Sequence, residues 1–223
     1  MGTIELDKIS KQLTIYSNIL FYGNLASQQL LDQCVEEIEA MWNEPGGTVK
    51  FKGIEYAVVF TIRGYLFTHI KPEDIFENRN PKNNYFRIEE FAPGDDISFV
   101  DGIFSNTGYF KAGNLYPGST TAAHEYGHTL GLEHPENRDL RGKGTPGIMY
   151  PRGTLVNPEF QYNPAASIEK DEAGHTMHPM HRRVLKEDID NLKLGSYNLS
   201  AGKTIVIGQF SSVYHEAFTP LKG

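Results

Sequence analysis

The chain has one cysteine, Cys34, and one tryptophan, Trp42, among 223 residues. A single cysteine excludes an intrachain disulfide and a cysteine-rich zinc ribbon. No apolar run approaches the roughly 20 residues that a membrane-spanning helix needs, so no membrane span is expected. Positive charge is scarce, with 21 Lys and Arg against 28 Asp and Glu and a net charge of −7. Nucleic-acid binding needs a basic field, so nucleic acid is not an expected partner. The opening MGTIELDKISKQL lacks the basic-then-apolar layout of a secretory signal. Internal repeats and an obvious interdomain linker are missing as well.

What is present suffices for a core: 39% of residues are hydrophobic, including 12 Tyr and 13 Phe. Residues 13–23 are β-branched and aromatic and predict a strand. Leu30, Leu31, Cys34, Val35, Ile38, Met41 and Trp42 recur at helical spacing, with Ser27 as N-cap and Pro45-Gly46-Gly47 as stop. On that stripe Cys34 reads as a small buried hydrophobe. Residues 48–67 predict two strands around Gly53, with Ala57-Val58-Val59-Phe60 buried on both faces. Further short strands are expected at 85–91 and 97–100. This order suggests an α/β layer with a mixed sheet. A second helix is expected over 119–130, capped by Ser119 or Thr120, and a third from about His181 to Leu194. The last 25 residues hold one strand-like run, Thr204–Ile207.

The segment His124-Glu-Tyr-Gly-His128-Thr-Leu-Gly131-Leu-Glu-His134 carries the chemistry. On a helix, His124 and His128 project from one face, one turn apart, and can share a metal. Glu125 lies beside them, where a base for a metal-bound water belongs. Gly131 can take the positive φ that ends a helix and lets His134 return to the same ion. Three neutral imidazoles leave a fourth position open, the layout of a catalytic rather than a structural zinc site.

This segment resembles the long zinc motif of the metzincin metallopeptidases. Gly147-Ile148-Met149-Tyr150-Pro151 resembles their Met-turn, which makes Met149 an apolar floor for the site. Ile148-Met149-Tyr150-Pro151, Ala122-Ala123-His124-Glu125 and Val184–Ile189 look matrixin-like, whereas Pro135 after the third histidine is a serralysin feature. More weakly, Phe91–Gly94 followed by Ile97–Asp101 resembles the edge strand and last strand of the matrixin sheet. The resemblance implies an α+β, metzincin-like fold. A mixed twisted sheet with an antiparallel edge strand and two long helices would precede an irregular lower subdomain that ends in a C-terminal helix. The catalytic domain would span residues 1–198, dividing near 131, with 199–223 as an extension of unknown role.

The implied activity is that of a zinc-dependent endopeptidase. His124, His128 and His134 would hold one Zn²⁺, and Glu125 would activate a zinc-bound water. A protein or peptide substrate would lie along the sheet edge near 84–91, with Tyr150 and Pro151 walling the pocket after the scissile bond. Two other readings are a zinc-containing binding or toxin-like module and a metallohydrolase of a non-peptide amide. Weaker signals are a His175/His178/His181 cluster as a second metal site, and Asp95, Asp96 and Asp101 as calcium ligands. For both, a polar surface is the simpler reading. Without a conventional signal peptide, export by another route, or as part of a larger exported chain, is expected.

Overall fold

The computed structural model describes residues 1–220. Its centre is β2 (Gln12–Tyr22), whose alternating burial reflects its β-branched and aromatic pattern. On one side β2 pairs in parallel with β4 (Ile54–Leu66), and β4 pairs antiparallel with β3 (Thr48–Phe51) across the turn at Lys52-Gly53. The other side is shared. The first half of β2 pairs antiparallel with β1 (Gly2–Asp7), and its second half pairs in parallel with β5 (Asn83–Glu89). β5 pairs in parallel with β7 (Thr107–Lys111), and β7 pairs antiparallel with β6 (Phe99–Val100), which ends the sheet. The architecture is α+β with a mixed, mostly parallel sheet, as expected.

Helix α1 (Gln28–Asn43) covers this sheet with the expected stripe: Leu31, Cys34, Ile38 and Trp42 are buried. Burying each such side chain contributes about 1.5–3 kcal/mol. Ser27 caps the helix by accepting the Leu30 N–H at 3.3 Å. Between sheet and chemistry runs α3 (Thr121–Thr129), tied to α1 by the Trp42 indole, which donates to the Ala123 carbonyl at 3.1 Å.

Several expectations are corrected. Ala57 is exposed, while Val58 and Phe60 are buried, so β4 has one core face rather than two. β5, expected at the edge, lies between β2 and β7; the edge beside α3 is β6. β1, β7 and the short α2 (Pro72–Phe76) were not anticipated. The third helix shrinks to α4 (Lys186–Asn191), because Arg182 and Leu185 adopt extended backbone after a 3-10 turn that starts at Pro179. The C-terminal segment supplies β8 (Thr204–Ile207), antiparallel to β1, and then runs on across the sheet. There Tyr214 stacks on Tyr22, and Ser211 bonds Ser105 and Asn106. Residues 221–223 of the expected extension lie outside the described residues.

Candidate metal centre

All nine residues of α3 are buried, so this helix is threaded through the molecule rather than laid on it. Its entrance is unusual. Thr120 sits at φ 56° and gives no side-chain cap; of the two residues expected to cap, Ser119 does so, its Oγ accepting the Thr121 N–H at 3.3 Å. The Thr120 hydroxyl instead donates to the Pro179 carbonyl at 2.8 Å and accepts from Arg182 Nε at 2.8 Å. A second cap comes from another element: Glu37 of α1 accepts the Ala123 N–H at 3.4 Å.

The exit of α3 is a Schellman turn. The Leu132 N–H bonds the Gly127 carbonyl and the Gly131 N–H bonds the His128 carbonyl, both at 3.1 Å. Gly131 has φ +99°, and a Cβ there would stand 2.0 Å from the Phe104 ring. This turn brings His134 back over the helix. Its Nε2 lies 3.0 Å from His124 Nε2 and 3.1 Å from His128 Nε2. Nitrogens sharing one tetrahedral zinc lie about 3.3 Å apart, so the donor set fits such an ion.

The tautomers suit the same role. His124 Nδ1 faces the Ile148 carbonyl at 2.7 Å, and His128 Nδ1 faces the Leu132 carbonyl at 2.7 Å. A carbonyl only accepts, so both Nδ1 atoms carry the proton and both Nε2 lone pairs point to the common centre. Burial takes His124 well below its ordinary range and lowers His128 too, while the more exposed His134 drops to about 4 through partial desolvation and the neighbouring His128, Arg138 and Arg182. Among the described residues this is the one group of three side chains placed to hold a metal.

Glu125 is buried beside the triad. Desolvation pushes its pKa up to about 8, while the Arg182 charge and a hydrogen bond from the Val100 backbone oppose that rise. A dication on the neighbouring histidines would favour the carboxylate further. Met149 packs under α3 where Gly127 leaves room; a Cβ on Gly127 would lie 2.3 Å from Met149 Sδ. A cavity of about 450 Å³ opens over the triad, bounded by β6, Thr121, Pro151, Arg152 and Arg182. Tyr150, expected beside Pro151 in this pocket, lines a separate cavity behind Met149 instead.

The weaker expectations do not come together. His175 Nδ1 faces the Glu172 carbonyl, His178 packs on Tyr162, and the His178 and His181 rings are 6.0 Å apart. Asp96 pairs with Lys111, and Asp101 pairs with His215, so neither is placed as a calcium ligand. Arg182 and Glu37 were missed in the sequence. Neither belongs to a spacing pattern, and only the fold brings them to α3.

No family model and no curated protein matches the chain. Among solved structures, it is similar to an archaemetzincin from Methanopyrus kandleri, at 9% identity and a TM-score of 0.42, over 81% of this chain and 95% of that one.

Proposed function

We propose that the protein is a zinc-dependent endopeptidase of the metzincin type. The observation that carries this reading is the convergence of three imidazole Nε2 atoms next to a buried carboxylate, Glu125, that has no ion-pair partner among the described residues. His124, His128 and His134 would hold the zinc. When bound, it supplies Lewis acidity toward a carbonyl oxygen and toward water. Glu125 accepts a proton from the attacking water and delivers it to the leaving amine. Among the described residues no strand pairs with the outer side of β6, which leaves room there for an extended chain and favours a peptide over another amide. Pro151 walls the pocket, and Met149 serves as the apolar floor that the matrixin-like reading assigns it. A pure binding module would leave the buried Glu125 without a role.

The test is cleavage of an unfolded generic protein by the zinc-loaded chain. A zinc chelator and Glu125→Ala should each abolish it. Cleavage that survives Glu125→Ala would overturn the scheme.

A further inference from the structure

Arg182 is a charge for which the proposed chemistry has no use. It is 3% exposed. Its Nε donates to Thr120 Oγ1 at 2.8 Å, and its two terminal nitrogens donate to the Tyr150 and Ser119 carbonyls, each at 3.3 Å. All three acceptors are neutral. Among the described residues no carboxylate lies within ion-pairing distance of Arg182. Glu125 and Glu37 act on it only from farther away. A guanidinium carries five N–H groups, so two remain without an acceptor. Buried cations are ordinarily hydrogen-bonded to an anion.

A second cation stands close by. Arg152 is exposed at the cavity rim, its side chain directed toward Asn114 Oδ1 at 3.5 Å, and its charge is felt at Arg182. Both arginines bound the cavity that holds His124 and Glu125. Two like charges in one partly enclosed space attract an anion more strongly than either alone. The guanidinium fork matches a carboxylate in shape as well as in sign.

We propose that Arg182 and Arg152 form a carboxylate-binding subsite, so that the enzyme selects peptides with a carboxylate next to the scissile bond. This rests on the peptidase reading for its substrate but not for its ligand. The carboxylate can come from an Asp or Glu side chain or from a free C-terminus, and the same two residues would take either.

The experiment compares end-capped peptides that differ only in Glu or Gln beside the cut, and a third peptide with Gln there and a free C-terminal acid. Each is offered to the zinc-loaded protein. Hydrolysis is read as kcat/KM and binding by calorimetry. At least a tenfold preference for a carboxylate is expected, and the arm that shows it names the source. Arg152→Ala should reduce that preference at least threefold. Arg182→Gln should abolish the preference; since it also loosens the entrance of α3, Arg152→Glu at the exposed rim decides if that variant melts early. Equal handling of the Glu, Gln and free-acid peptides would overturn the subsite, as would a preference that Arg152→Glu leaves intact. Selective binding without hydrolysis of any peptide would sink the peptidase reading and keep the subsite. Hydrolysis without selectivity would do the reverse.

Discussion

Glu37 Oε1 accepts the backbone N–H of Ala123 at 3.4 Å, so one helix caps another immediately before the first histidine. The capped residue adjoins His124, and the capping residue lies on the helix that anchors α3 through Trp42. A cap of this kind is worth about 1–2 kcal/mol. Glu37→Ala should lose that much stability in urea unfolding. It should also weaken zinc binding, because the pitch of the first turn aims His124. Glu37→Gln keeps an acceptor and should cost less than half as much. Equal stability of all three proteins would remove Glu37 from this role.

Metal loading should be legible in the melting curve. Zinc at a hundred times its dissociation constant stabilises the folded state by about 2.7 kcal/mol. His134→Ala should lower zinc affinity roughly a hundredfold or more, measured against a chromophoric chelator. Glu125→Gln should bind zinc as wild type does. A zinc-induced rise in Tm that persists in His134→Ala would show that the ion sits elsewhere.

Gly127 and Met149 should be coupled. Gly127→Ala puts a methyl group into Met149 Sδ and should destabilise by about 1–3 kcal/mol. In the Met149→Ala background the same change should cost much less, and a double-mutant cycle reads the difference. Gly131→Ala has no such rescue in that background, since it meets both the Phe104 ring and a φ of +99°.

Asp188 gives a pH signature of its own, beside the Ile148 backbone that also receives His124 Nδ1. Burial pushes its pKa up to about 6, although backbone bonds from Leu185 and Ile148 oppose the shift. The folded chain therefore holds this proton more tightly than the unfolded chain does. The resulting stability is full below about pH 4 and is lost as pH rises through about 6. The loss amounts to about 2–3 kcal/mol. Asp188→Asn should flatten that part of the stability profile between pH 4 and 7. A variant profile parallel to that of wild type would refute the assignment.

The convergence of the three histidines was legible because its logic is local. One helical turn separates His124 from His128, and one glycine returns His134, so spacing alone sets the geometry. The same holds for α1, whose stripe and Ser27 cap lie within one stretch of chain. β1 and β7 were not, because their strand character emerges only from pairing with β2 and β5. Thr107–Lys111 includes a glycine that a Cβ would drive into the Phe99 carbonyl, a requirement set by a neighbouring strand. The third helix failed for a related reason: Val184, Ile189 and Leu192 are buried as the periodicity required, but Arg182 needs extended backbone to reach Thr120. Arg182 and Glu37 had no local signal at all.

The pairing of β1 with β8 bears on how the molecule is made. Gly2 faces Ile207, and Gln209 then bonds the carbonyl of Phe104, whose ring covers the glycine that turns His134 inward. Closing so long a loop is entropically costly and slow, and it rewards the chain only once both ends are present. Until then the edge of β1 stays open to pairing with other chains. During synthesis the histidine motif is complete well before the segment that braces it. Maturation of the site should therefore follow the arrival of the tail rather than the appearance of the histidines.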